Sequence, residues 1–264
     1  MQDVAILISH DNNSIMNKQR LSHIKDAGFK NVFMHWEPEN YGEDNWKEAI
    51  SYIGQIDLNI IFVHLSYSGI NSIWGEGQNG DELVKKYKNN IKECKDNDIP
   101  MVIMHLTSKT EAPMYSELGL NRLREITEYA NELGIKVAFE NTRIKGYLDY
   151  VIKNITDDNV GICYDSGHCH LHFDDEFNYD NFKDRIIAVH LHDNDKSDDL
   201  HLLPFDGTID WDSTLKALKY CNFKGEFTLE SVYRYDYLKI TEQEFYKKSY
   251  NIAKKLTEIY DKII

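Results

Sequence analysis

Eight short apolar runs along this 264-residue chain each end in a residue that can bind a metal or move a proton. Five of the runs end in histidine, at His10, His35, His64, His105 and the His190/His192 pair. Three end in carboxylate: Glu140 in KVAFEN, Asp165 in VGICYD and Glu230 in EFTLE. Packing gives an apolar strand no reason to stop this way, because an unpaired buried charge costs several kcal/mol. Eight parallel strands whose C-terminal tips converge on one site account for all of these endings together.

The rest of the chain supplies the connections such an arrangement needs. The runs predict strands at Asp3–His10, Asn31–Glu37, Asn59–Tyr67, Met101–Thr107, Lys136–Thr142, Asn159–Asp165, Ile186–His192 and Glu226–Ser231. Amphipathic helical stretches follow them at Ser14–Ala27, Trp46–Gln55, Asp81–Asp96, Tyr115–Leu133, Ile144–Ile155, weakly at Tyr179–Lys183, then Asp210–Tyr220 and Thr241–Ile263. Strands alternating with helices of this length indicate βα units on a parallel sheet. Gly28, Gly134 and Gly225 stand where helices stop before the next strand. Eight units in about 250 residues fit a closed barrel better than an open sheet. No linker, repeat or low-complexity tract divides the chain, so residues 1–264 are expected to form a single (β/α)8 TIM barrel with its active site at the C-terminal face of the strands.

Strand alternation tests this placement. Two residues before Glu140, Asp165, His190 and Glu230, on the same face, stand Ala138, Cys163, Ala188 and Thr228; the other face carries Phe139, Tyr164, Val189 and Leu229. Small residues suit a narrow barrel interior and large ones the layer beneath the helices. Glu140, Asp165, His190 and Glu230 are therefore expected to point into the barrel mouth.

Three carboxylates and an imidazole form an oxygen-rich set suited to Mn²⁺, Mg²⁺, Co²⁺ or Zn²⁺ rather than to a closed structural zinc site. A nitrogen-rich set, His64, His105, His168 and the Asp199-x-His201 pair, adjoins it through Asp165-x-x-His168. Together they offer ligands for one to three divalent ions. A lone strand-end histidine is more often a hydrogen-bonding group than a ligand, so His10 and His35 are expected to line the substrate or to be structural.

The net charge of −14 disfavours nucleic acid as a partner, since binding to a phosphate backbone relies on Lys and Arg displacing counterions. No apolar run approaches the roughly 20 residues needed to span a bilayer, and the acidic, short-cored N-terminus MQDVAILISHDNN is not a signal peptide. Cys94, Cys163, Cys169 and Cys221 lack CxxC spacing, which suits reduced thiols in a cytoplasmic protein. Oligomerisation is left open.

The segments VHLSYSGIN, VIMHLTS, FENT, YDSGH, AVHLHDND, DLHLLPFDGTIDW and LES resemble the xylose isomerase-like TIM barrels. That superfamily holds sugar isomerases and epimerases as well as endonuclease IV, and the similarity covers about the whole chain. By the resemblance, Glu140, Asp165, His190 and Glu230 match the single-metal set of the isomerases, whose two glutamates also act as the acid/base pair. His64, His105, His168, Asp199 and His201 match the further ligands of the three-zinc endonuclease site. At strand seven, His192 can replace His190 in the alignment. LLPFDGTID replaces a glycine-rich endonuclease segment, and Ser68-Gly69 lacks the bulky residue that wedges into DNA. No catalytic Lys stands near the metal motifs, which favours proton transfer over hydride shift.

The resemblance thus implies a metal-dependent isomerase or epimerase of a small sugar, sugar phosphate or polyol, working through an enediolate. The alternative is an endonuclease IV-like multi-zinc phosphoester hydrolase. In the first case Glu140 and Glu230 exchange the proton, His168 and His192 contact hydroxyls, and the loop Gly69–Gly80 with Trp74 is expected to close over the substrate.

Overall fold

The computed structural model describes residues 2–8, 17–37, 43–173 and 176–264. Its sheet has eight strands: β1 (Val4–Leu7), β2 (Asn31–Trp36), β3 (Asn59–Leu65), β4 (Met101–Met104), β5 (Lys136–Glu140), β6 (Val160–Asp165), β7 (Ile186–His190) and β8 (Phe227–Leu229). Every ladder is parallel, and neighbours run in the order β7-β6-β5-β4-β3-β2-β1-β8. The two ends meet where the Leu191 amide donates to the Thr228 carbonyl at 2.9 Å and the Glu230 amide donates to the Leu191 carbonyl at 3.1 Å. The expected (β/α)8 barrel is therefore what the chain forms.

The strands are covered by α1 (Lys18–Ala27), α2 (Glu43–Gln55), α3 (Gln78–Asp96), α4 (Glu117–Glu132), α5 (Tyr147–Asn154), α6 (Ser166–His172), α7 (Tyr179–Phe182), α8 (Trp211–Tyr220) and α9 (Glu242–Lys262). Local chemistry sets their ends. Asn17, Ser116 and Asp210 cap helix N-termini with side-chain acceptors, and Thr241 with Glu244 forms a reciprocal capping box on α9. Gly28 ends α1 at φ 113°, where a side chain would also strike the Tyr250 ring. Gly225 does not play the matching role after α8. There the left-handed residue is Asn222, at φ 57°, and Gly225 instead passes close to the Phe223 ring and the Ile187 carbonyl.

Several ladders, those of β3, β4, β5, β7 and β8 among them, stop two or three residues short of the predicted C-terminal strand ends, and beyond them side chains take over the ties between tips. Asn141 shows how: its Nδ2 donates to the Asp165 carbonyl at 2.9 Å, and its Oδ1 accepts from the Asp165 amide at 2.8 Å. The short helix α6 is absent from the sequence expectation. It starts at once because the Asp165 side chain caps it, accepting from the His168 amide at 2.6 Å.

Side chains divide as the alternation predicts. Ala138, Cys163 and Ala188 face the barrel interior, while Phe139, Tyr164, Val189 and Leu229 join the core between strands and helices. The interior is filled unevenly. Leu7, Phe33, Phe62 and Ile103 come from β1–β4, and the small residues come from β5–β7. Small side chains on one half leave the space that the two phenylalanines occupy, with ring centroids 4.7 Å apart. Phe33 also stacks beneath His190 at 5.0 Å and an interplanar angle of 11°. Phe33→Ala should therefore destabilise the protein by about 3–5 kcal/mol, read as a lower urea midpoint. A loss under about 1 kcal/mol would mean that Phe33 is not the floor of the site.

Candidate metal centre

The strand tips deliver their side chains to one mouth. His64 closes β3, His105 follows β4, Glu140 and Asp165 end β5 and β6, His190 ends β7, and Glu230 follows β8. His168 lies on the first turn of α6, and His192 extends the inward face of β7. The loop between β7 and α8 brings Asp199 and His201. A cavity of about 810 Å³ opens above them. Glu140, Asp165, His190 and His192 are at most 1% exposed and Glu230 4%, so water cannot screen these charges from one another.

The carboxylates sit among imidazoles. Glu140 Oε2 lies 3.1 Å from His64 Nε2, 3.3 Å from His190 Nδ1 and 3.4 Å from His105 Nε2, and its Oε1 lies 3.1 Å from His168 Nδ1. Both Asp165 oxygens are 3.1 Å from His192 Nε2. Asp199 stands 3.2 Å from His168 Nε2 and 3.5 Å from His201 Nε2. Glu230 Oε2 is 3.7 Å from His190 Nδ1 and His201 Nδ1, and 3.9 Å from His192 Nε2. The structure thus brings all nine expected ligand residues together.

Burial and mutual contact shift these groups in opposite directions. Burial pushes Glu140 up, but His105 and His190 outweigh it and hold the carboxyl well below its ordinary range. Burial likewise raises Asp165, and His168 and His192 bring it below. Glu230 goes the other way, driven well up by burial and by repulsion from Glu140 and Asp165. Burial lowers His168, yet Asp165, Asp199 and Glu140 hold it well above the usual imidazole range. Two carboxylates with opposite shifts in one site are the pattern of an acid/base pair.

Three histidines are oriented as ligands are. The Nδ1–H groups of His64, His168 and His201 face the backbone carbonyls of Leu65 (2.9 Å), Asn141 (3.1 Å) and Glu230 (2.8 Å). Such a bond fixes the ring and leaves Nε2 as the donor atom toward a metal. Several buried polar atoms meanwhile lack any hydrogen-bond partner among the described residues: both ring nitrogens of His190, His192 Nδ1 and Asp199 Oδ1. An orphaned buried polar group costs about 1–3 kcal/mol, which a coordinated ion removes. Four overlapping sets place ligand atoms within 4.8 Å of one another: His64/Glu140/His190, His192/His201/Glu230, Glu140/Asp165/His168 and Asp165/His190/Glu230. This mixed oxygen and nitrogen set fits Zn²⁺, Mn²⁺ or Co²⁺.

The expected substrate contacts fare differently. His35 reaches the cavity beside His64, with ring centroids 5.0 Å apart, and His168 lines it too. His10 lies outside the described residues. His192 is fully buried behind Asp165 and does not line the cavity, so its position suits a ligand better than a hydroxyl contact. His190 and His192 both face inward, His190 on the phenylalanine floor and His192 nearer Asp199. Trp74 is a correction. It is 2% exposed, donates from Nε1 to the Leu106 carbonyl at 2.7 Å and packs on Tyr147, away from the cavity. The loop around it is no free lid, because buried Arg122 ties down the carbonyls of Ile73, Gly75 and Gly77. The large apolar area of an indole favours the core wherever its N–H finds an acceptor.

Other cavity residues escaped the sequence analysis. Tyr67 stacks on His105 at 4.5 Å, and Thr107 and Thr142 join their hydroxyls at 2.9 Å. Lys109, Arg143 and Arg234 also line the mouth. Their one sequence signal was position, since each follows a strand tip by a few residues.

Residues 21–256 match the xylose isomerase-like TIM barrel. The chain belongs to that family. An uncharacterised protein, y4fM, of Sinorhizobium fredii is 30% identical over 92% of this chain and 89% of its own length. An inosose isomerase of Bacillus subtilis is 26% identical over 62% of this chain and 65% of its own, and a probable endonuclease 4 of Mycoplasma capricolum 26% over 53% and 54%. Among solved structures, a D-tagatose 3-epimerase-like protein superposes with a TM-score of 0.77 at 24% identity, covering 99% of this chain and 98% of that one. The IolI protein with a binding zinc atom gives 0.74 at 19% identity, covering 100% and 99%. No helix among the described residues is long and apolar enough to cross a membrane.

Two outcomes follow for metal binding. Asp165, Asp199 and Glu140 hold the His168 imidazole well above its usual range, so adding Zn²⁺ or Mn²⁺ should release protons, measurable with a pH-indicator dye, and affinity should fall as pH falls. Binding without proton release would contradict these ligands. Gly167 lies so close to His192 that a Cβ would overlap the imidazole ring. Gly167→Ala should therefore weaken metal affinity about 10–100-fold, and unchanged affinity would exclude His192 from the centre.

Proposed function

We propose that this protein is a divalent-metal-dependent isomerase or epimerase of a small sugar-like polyol, working by proton transfer. The observation that carries this reading is the pair Glu140 and Glu230. They reach one cavity from β5 and from the end of β8, and both touch the same His190. The inosose isomerase and epimerase-like relatives support the same class of reaction.

Glu140, Asp165, Glu230 and His190 or His192 would hold the ion, with His64, His105, His168, Asp199 and His201 able to hold more. A bound divalent cation supplies the positive charge that favours a developing oxyanion. One glutamate removes the proton from the carbon beside the carbonyl, and the other returns a proton to the enediolate. Both glutamates reach the cavity surface, as a group that meets a substrate carbon must. Buried walls limit water, which would otherwise compete for the proton.

Glu230→Gln, reloaded with metal and checked by elemental analysis, should abolish exchange of a ketose proton with D₂O, followed by proton NMR. Retained exchange would remove Glu230 from the acid/base role.

A second reading, phosphoester hydrolysis on several zinc ions, is favoured by one specific observation. Besides Glu140, Asp165, His190 and Glu230, the carbonyl-oriented His64, His168 and His201 stand in the same mouth, and the candidate sets overlap, more donors than the four of one tetrahedral ion. Elemental analysis separates the two: one metal per chain supports isomerisation, and two or three zinc ions with phosphodiester cleavage support hydrolysis.

A further inference from the structure

We propose that the substrate carries a fixed negative charge, a phosphate or a carboxylate, bound at the cavity mouth by Lys109, Arg143 and Arg234. The proposal rests on the reading of this cavity as the site of a sugar-like substrate, and it narrows that substrate to a class.

The chain carries a net charge of −14, yet three cationic side chains line the rim of the cavity above the strand tips. They come from three different loops, following the tips of β4, β5 and β8. The two guanidinium groups converge on one residue. Arg234 Nη2 donates to the Asp199 backbone carbonyl at 3.0 Å, and Arg143 Nη2 lies 3.9 Å from Asp199 Oδ2.

The ties the protein makes to these groups leave hydrogen-bond donors to spare, although Glu37 also lines the cavity. A carbonyl takes one N–H from Arg234 but cancels no charge, and Arg234 Nε is buried with no hydrogen-bond partner among the described residues. The Arg143 distance is too long for a hydrogen bond. Asp199 itself is engaged more closely by His168, at 3.2 Å, and by His201, at 3.5 Å. Lys109 makes no ion pair with any described residue. Like charges sharing a rim repel one another, and an anion between them reverses the sign of that interaction.

The backbone at Lys109 points the same way. Lys109 adopts φ 62°, a left-handed conformation uncommon for a lysine. Asn71 holds the loop there, accepting from the Ser108 amide at 2.8 Å and donating to the carbonyls of Ser108 and Glu111 at 3.0 and 2.9 Å. A neutral sugar needs hydroxyl partners, which Thr107, Thr142 and the glutamates already offer. Planar guanidinium groups add what a phosphate or carboxylate needs, paired N–H donors with charge. The volume, about 810 Å³, holds a sugar together with such a group.

The test is calorimetric titration of the metal-loaded protein with fructose 6-phosphate, ribulose 5-phosphate and glucuronate, each against its neutral parent, fructose, ribulose and glucose. At least one charged sugar should bind about tenfold or more tightly than its parent, with the gap shrinking as salt is added. Whether a phosphorylated sugar or glucuronate shows the larger gap names the anion. Lys109→Gln and Arg143→Gln should each cut that preference by several-fold. Lys109→Gln alters an exposed side chain and so keeps the test open should Arg234→Gln fail to fold. Equal binding of every charged sugar and its parent overturns the proposal. So does a preference that survives both substitutions, because the anion would then sit on the metal. Proton exchange is scored separately in D₂O. Anion-selective binding without exchange would sink the isomerase reading alone, whereas exchange on neutral ketoses without anion preference would sink only this one.

Discussion

Four carboxylates gathered at one buried mouth are the constraint on which the rest of the structure depends. Glu140, Asp165, Asp199 and Glu230 cannot share so small a space as bare charges, because in a low dielectric their mutual repulsion and lost hydration exceed what packing returns. The histidines answer this. Each carboxylate has at least two imidazoles within 4 Å, and His168 stands between Glu140 and Asp199. The compensation is incomplete, as Glu230's upward shift and the orphaned nitrogens of His190 show. A divalent cation would complete it, which would link assembly of the mouth to affinity for metal.

Holding that balance takes stiffness, and the barrel supplies it from below and from the side. Below, Phe33 and Phe62 fill the interior and carry His190 on their faces, a packing made possible by Ala138, Cys163 and Ala188 opposite. From the side, Asn141 ties the tips of β5 and β6, and Ser166 Oγ bonds the His192 carbonyl at 2.7 Å. Asp193 gathers the loop that carries Asp199 and His201. Its buried carboxylate accepts from the amides of Asn194, Phe205 and Ile209 and from Trp211 Nε1. Side chains held this way would lose little freedom on binding an ion.

Much of this was legible in the chain. The eight barrel units and the inward face of β5–β8 could be placed because period-two alternation and strand-terminal polar residues are local signals, while His168, Asp199 and His201 were named from short spacings and the family resemblance. The helix α6 was not, because its trigger is a single side chain, Asp165, capping the turn it begins. Trp74 misled for a related reason. A tryptophan in a glycine-rich loop suits a lid equally with a buried anchor, and only Arg122, 48 positions further on, decides between them. The choice at strand seven resisted too, since His190 and His192 share a face and differ only in depth.

Sequence alone determined which side chains face the barrel axis, and hence that a mouth of carboxylates and imidazoles forms, because alternation along a strand leaves no other face for them. Tertiary structure decided what lies around that mouth: the phenylalanine floor, the buried Trp74, the carbonyls that orient three imidazoles, and the cations Lys109, Arg143 and Arg234 at the rim. Those depend on loops from separate strands meeting in space, and the register and closure of the barrel set such meetings, which no local pattern encodes.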